Sequence, residues 1–201
     1  LEMVTPKQRQ EIHSHFCHDE RWNFRCGEGI SARLFDLCKG NVDQVLLAFS
    51  LLFTLPGTPI IYYGDELALF NDEAFFAEKS KETGFKDSRF FVRGKINWDE
   101  MDQELATKDS LPARTHAALS EMIGKRKVSK ALTRGSLDFP ESTAFAIKRI
   151  FQGETVFALH NLTDSEIKVP LTEQKTELYS KGAKVAAGTV TLAPYGFCWL
   201  I

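Results

Sequence analysis

The chain has 201 residues, 43% of them hydrophobic and 26% charged, with a formal net charge of −2. That suits a globular protein of one large domain or two small ones. It gives no basis for binding nucleic acid or an anionic membrane, and no apolar run reaches spanning length. No signal peptide is recognisable, and four cysteines without a dense framework suit a reducing, cytoplasmic setting.

Pro6 to Phe16 reads as a short helix behind a cap-like Thr5. From there to residue 40, charge, aromatics and the glycines Gly27 and Gly29 predict a long loop with helical pieces. His13, His15 and Cys17 alternate, so on an extended chain they would share one side, with Cys26 and Cys38 as further candidate ligands. The spacing fits no zinc pattern, and surface histidines with part-buried cysteines are the simpler reading. Neither a metal nor another cofactor is expected.

Residues 41–69 organise the first half. Asn41 suits an N-cap, with Asp43 and Gln44 in the first turn. Val45 to Leu55 is apolar on nearly every face apart from Ser50 and Thr54, which predicts a helix buried all round. Pro56-Gly57 ends it. Pro59 to Tyr63 is a continuous apolar run, as in a parallel strand covered on both faces. Gly64-Asp65-Glu66 then falls at the strand's C-terminal end, where α/β barrels carry their chemistry. Leu46, Leu47, Phe49, Leu52 and Phe53 cannot all be covered from within the first 130 residues. That predicts a missing partner half, self-association or poor solubility.

Residues 70–98 read as a long polar loop, with Asn71-Asp72-Glu73 near its start. Phe75, Phe76, Phe85, Phe90, Phe91 and Trp98 punctuate it, as rings that pin the loop to its domain. Residues 111–127 read as a helix capped by Asp109 or Ser110, with Pro112 in its first turn. Leu111, Thr115, Leu119, Met122, Ile123 and Arg126 form one stripe along it. After Lys130 the period becomes alternating, with strands expected at 143–151, 154–161, 166–170, 175–180, 189–192 and 195–201. Gly153, Asn161 and Gly182 mark the breaks. Short, regular strands predict an antiparallel sandwich.

The stretch Leu55-Pro56-Gly57-Thr58-Pro59-Ile60-Ile61-Tyr62-Tyr63-Gly64-Asp65-Glu66 resembles the end of the catalytic barrel in the α-amylase family, glycoside hydrolase family 13. There it is the passage from the last barrel helix into strand eight. Leu1 to Thr5, Arg33-Leu34, Gly40-Asn41 and Asp87-x-Arg89 resemble the trehalose synthase branch and related α-glucosyltransferases. Pro194-Tyr195-Gly196-Phe197 with Trp199-Leu200 resembles the last strand of the family's trailing domain. The fold implied is α/β plus all-β: residues 1–131 as the C-terminal part of a (β/α)8 barrel, and 132–201 as a small antiparallel β-sandwich. A start at Leu1 in place of Met suits a C-terminal portion of a longer enzyme.

The resemblance implies action on α-glucosidic bonds, by trehalose synthase-like glucosyl transfer or isomerisation or by hydrolysis, with an α-glucosidic sugar as substrate. An amylosucrase-like or α-glucosidase parent is the alternative within the family. A non-catalytic carbohydrate-binding or interaction module is the alternative outside it. The family retains configuration with two carboxyl groups about 5 Å apart. It draws them from barrel strands four and five, and neither motif occurs here. The resemblance makes Arg89, Asp65, Glu66 and His18 the substrate-binding candidates, with Asp65 and Glu66 supporting a loop. His18-Asp19-Glu20 resembles the strand-seven His-Asp motif, but Cys17 stands where Asn belongs and the residues before it make a poor strand. Asp19 is therefore the weaker, alternative catalytic acid. Gly94-Lys95-Ile96-Asn97-Trp98 departs from the trehalose synthase pattern.

Overall fold

The computed structural model describes residues 3–25, 27–186 and 188–201. The resemblance at Leu1 and Glu2 and the candidate ligand Cys26 lie outside the described residues.

Helix α1, Pro6–Phe16, starts on a capping box: Thr5 accepts the Gln8 amide and Gln8 Oε1 accepts the Thr5 amide at 2.9 Å. The expected helix is there, and it overturns the extended geometry behind the metal reading. Two residues apart on a helix point about 200° apart, so His13 and His15 cannot share a side. Cys17 ends the helix, its amide bonded to His13 C=O at 2.8 Å. The short hairpin β1 (Asn23–Phe24) and β2 (Gly29–Ile30) follows, then the one-turn helix α2, Leu34–Leu37.

Helix α3 runs Val42–Thr54, one residue inside the expected helix over 41–55 at each end. The predicted strand at 59–63 does not form. A strand exists through the backbone bonds of its neighbours, and no described residues pair with this run. It remains without regular structure and runs into a turn at Tyr63, with Ile60 81% exposed. Residues 70–98 are not one loop either. They fold into helix α4, Glu73–Thr83, and a 3-10 turn at Ser88–Val92, and Trp98 opens helix α5, Trp98–Ala106. Asp72 caps α4 by accepting the Phe75 amide at 2.8 Å, and Gly84 ends it in the left-handed region. Helix α6, Leu111–Val128, matches its expected range, with Ser110 Oγ accepting the Ala113 amide.

Helix α7 (Lys130–Arg134) and strand β3 (Ser136–Asp138) precede the expected strands. These are β4 (Phe145–Phe151), β5 (Glu154–His160), β6 (Ile167–Pro170), β7 (Glu177–Ala186) and β8 (Thr189–Leu200). All pair antiparallel, in the order β3-β4-β5-β8-β6 with β7 also on β8. Gly182 does not end β7; the strand passes through it at a register shift. Opposite, β8 is one element with a corner: Leu192 pairs with Ala183 and Phe197 with Lys181, so residues 193–196 bow out against Gly182. Gly196 must lack a side chain there, because a Cβ would sit 2.4 Å from Gly182 O.

The described residues gather into two compact units, 1–42 with 62–114 and 43–61 with 115–201. Inside the second, α3 joins the sheet. Ser50 and Thr54, the polar exceptions in its sequence, are fully buried and bonded. Ser50 Oγ accepts Trp199 Nε1–H at 2.8 Å and pairs with His160 Nε2 at 2.9 Å, while Thr54 Oγ1 donates to Ser50 C=O. Leu46, Leu47, Phe49 and Phe53 are buried and Leu52 half-buried. The α6 stripe serves this unit as well: Arg126 donates to Phe53 C=O and Gly57 C=O. The sheet's own core is built from Ala146, Leu159, Val169, Val190, Leu192 and Leu200.

Candidate functional site

The first unit carries most of the residues singled out from the sequence. Its centre is the turn through Tyr63-Gly64-Asp65-Glu66. Gly64 sits at φ +90°, and a Cβ on it would lie 2.5 Å from Leu69 Cδ1. The Leu67 and Leu69 amides both bond to Gly64 C=O, and the Gly64 amide donates to Glu66 Oε2 at 2.8 Å. Glu66 therefore serves its own turn.

Arg33, 3% exposed, lies against this turn. Its guanidinium donates to Tyr63 C=O and to Val92 C=O (3.1 Å), and meets Asp65 Oδ1 at 3.4 Å. It also sits over the rings of Tyr62 and Tyr63, 5.2 and 4.9 Å from their centroids. Burial pushes the Asp65 carboxyl above its ordinary pKa, and the Arg33 charge offsets part of that. The Tyr63 hydroxyl reaches Val92 C=O and Gly94 C=O at 3.2 and 3.1 Å. On the far side, the Arg33 amide donates to Asn71 Oδ1, and the Asn71 amide to Asp36 Oδ2. A cleft of about 550 Å³ opens here, lined among others by Arg33, Asn71, Asp72, Gly94, Lys95 and Glu100.

Arg89 occupies its own structure. Asp87 caps the 3-10 turn Ser88–Val92, accepting the Arg89 amide and Nε–H at 2.9 Å, with Nη2 closing the pair. Hydrogen bonding from Arg89 holds the Asp87 carboxyl below the ordinary range. Asp19 does the same for the turn Glu20–Trp22: it accepts the Arg21 amide at 2.8 Å, and the Arg21 side chain lowers its pKa. Asp-x-Arg thus works twice as a local cap. Arg21 goes on to Glu73. Arg89 has no second carboxylate among the described residues, and its side chain is 46% exposed above Phe24. His18 rests against Leu37 C=O (3.3 Å) and the Trp22 ring.

The structure joins Asp65 and Glu66 in one turn. Among the described residues no bond links that turn to Arg89 or His18, and none of the four lines the cleft. The aromatics divide. Phe76 stacks on Phe91 with centroids 4.0 Å apart, and Phe75 meets Phe90 edge-on, which pins the segment. Phe85 and Trp98 are exposed. Arg33 was the residue the sequence reading passed over as a site. Arg33-Leu34 marks only the family resemblance, and the three acceptors that give Arg33 its place lie 30–59 positions away.

No protein-family model matches the chain. Alpha-amylase 3 of Dictyoglomus thermophilum is 26% identical over 172 residues, which is 78% of this chain and 34% of that protein. The trehalose synthase of Thermus thermophilus is 38% identical over 80 residues, 40% of this chain and 8% of that protein. Among solved structures, a debranching enzyme from Nostoc punctiforme superposes with a TM-score of 0.59 at 22% identity, covering 84% of this chain and 33% of that one. The trehalulose synthase MutB from Pseudomonas mesoacidophila gives 0.56 at 18% identity, over 79% of this chain and 38% of that one. These structures speak for the fold, and the matched part of the chain spans between 8% and 38% of these proteins. By sequence and fold together, the chain is related to the C-terminal region of α-amylase-family enzymes, glycoside hydrolase family 13, with trehalose synthases among its relatives.

Proposed function

We propose that this chain supplies the C-terminal part of an α-amylase-family enzyme acting on α-glucosidic bonds, by glucosyl transfer or isomerisation of the trehalose synthase type. The observation that carries the reading is the sequence match, which extends over 78% of the chain for an α-amylase and reaches 38% identity for trehalose synthases. Residues 1–131 are read as the barrel's end and 132–201 as the trailing sandwich. The remaining barrel strands, or a second copy, would be the partner. No helix of the described residues is long and apolar enough to cross a membrane, and a cytoplasmic enzyme is the reading that goes with four cysteines and no disulfide framework.

In this reading the chain alone turns over no maltose, trehalose, sucrose or starch. The nucleophile and acid motifs do not occur in its sequence, and a barrel closes only with all its strands. The test is an assay of the pure chain beside the polypeptide read from the coding sequence upstream of Leu1. Turnover by the chain alone, abolished by a point change in it, would count against the proposal. So would an upstream sequence without an Asn-His-Asp motif.

Arg89 is proposed to line the sugar pocket of that enzyme. Asp87 fixes its fork from one side, and the remaining donors keep fixed directions for a hydroxyl or carboxylate. Arg89→Lys keeps the charge and loses the fork. A lost charge-assisted bond costs about 1.5–3 kcal/mol, so kcat/KM should fall roughly ten- to a hundredfold. Unchanged kinetics would make Arg89 only the partner of Asp87.

A further inference from the structure

We infer that Arg33 is a positioning residue, which sets the Tyr63–Glu66 turn against the Val92–Gly94 segment, whose Gly94 lines the cleft; its consequence for turnover rests on the function proposed above. Three separate segments meet on one buried side chain. Nη1 takes Tyr63 C=O and faces Asp65, while Nη2 takes Val92 C=O. The backbone amide of Arg33 holds Asn71, beside the cleft's other wall. Tyr63 repeats the link, its hydroxyl placed on Val92 and Gly94.

The residue type matters. A guanidinium presents donors in a rigid plane, so one side chain can fix the distance between two carbonyls and a carboxylate. A lysine ammonium is a point charge that can hold Asp65 or one carbonyl, and glutamine leaves Asp65 without its cation. The Arg33 plane is also clamped over the Tyr62 and Tyr63 rings. Its grip on the turn is therefore set by stacking as well as by hydrogen bonds. Gly94 shows how little slack the wall has: a Cβ there would lie 2.1 Å from Asp72 Oδ2.

Amide hydrogen exchange on the chain itself separates positioning from general stability. Arg33→Gln should speed exchange about tenfold at Leu67, Leu69 and Asp72, whose bonds close the turn and the wall. The α4 amides should stay within about threefold, and Arg33→Lys should restore part of the protection. Phe76→Leu, which loosens the Phe76–Phe91 stack, is the control for uniform destabilisation. Acceleration spread evenly through the unit, as that control should give, or no acceleration at all, overturns the inference.

In the enzyme, Arg33→Gln should raise KM about tenfold with kcat within about threefold. An unchanged KM beside normal wild-type turnover also overturns it. A wild type that turns over no α-glucoside counts against the proposed function instead, and exchange then decides the role of Arg33 by itself.

Discussion

Replacing Arg149 by methionine is expected to lower stability by about 2–4 kcal/mol, a shift of roughly 10 °C in midpoint for a chain of this size. Arg149 is 1% exposed. Its guanidinium donates to Thr54 C=O at 2.8 Å, Gly135 C=O at 2.7 Å and Ser136 C=O at 3.1 Å. Thr54 is the last residue of α3, so the charge sits on the negative end of that helix, where a cation belongs. Arg126 sits at the same end, on Phe53 and Gly57.

No carboxylate bonds to either arginine among the described residues, so carbonyl dipoles do the work of a counter-ion. Burial and the nearby Arg126 charge lower the Arg149 pKa, but from so high a start that it stays charged at neutral pH. Removal leaves the buried Thr54 carbonyl without a donor, while Gly135 and Ser136 are exposed enough to find water. Relief of the desolvated charge and of the Arg126 repulsion returns part of the loss, which keeps the figure below three full bonds. Arg149→Lys should fall between, because an ammonium reaches one carbonyl and not three. Urea titration is the check, and a change under about 1 kcal/mol for the methionine variant would show the carbonyls rescued by other donors.

The second large effect is acid lability between pH 6.5 and 4. His160 is fully buried, with Nε2 on Ser50 Oγ and Nδ1 3.3 Å from Phe145 C=O. Trp199 can only donate, so Ser50 accepts from it and has its own proton for Nε2. That assigns the ring proton to Nδ1, facing Phe145. Both nitrogens are then satisfied in the neutral ring, and burial pushes the pKa down to about 4.

The unfolded chain, with an ordinary histidine near 6.5, binds the proton first as pH falls. Stability is therefore complete above about 6.5 and declines through the window down to about 4. The loss is about 3 kcal/mol at one pKa unit per 1.36 kcal/mol. The depressed carboxylates Asp19 and Asp87 add their own loss only below their unfolded values, at lower pH. In His160→Gln, whose amide can still meet Ser50 and Phe145, the slope between pH 6.5 and 4 should flatten. A variant with the wild-type slope would assign the lability to other groups.

The helices and strands were legible to different degrees. Thr5 with Gln8, the apolar run of α3, and the alternation in β4 and β5 are local signals, and each element formed within two residues of its expected range. Helix α4 carried signals that went unread: Asp72 before it and Gly84 after it are ordinary caps. The abundance of charge between them hid the helix, because only Phe76 of its residues is buried and no apolar stripe shows. Of the candidate site, Asp65 and Glu66 were named as candidates through the family resemblance. Arg33 was not, because its role consists of contacts with distant segments.

By itself the sequence determined the amphipathic and apolar helices α1, α3 and α6 and the alternating strands, because these follow from the spacing of apolar side chains and from caps within a few residues. It also carried the resemblance to the α-amylase family, in twelve consecutive residues from Leu55 to Glu66. The tertiary structure decided what each polar exception does. Ser50 and Thr54 break an apolar helix because Trp199 and His160, more than a hundred positions away, need Ser50, and because Thr54 ends under Arg149. It also decided that Pro59–Tyr63 stays unpaired and that Asp19 is a cap. A strand is made by its neighbours and a buried donor by its acceptor, and neither partner is written in the local sequence.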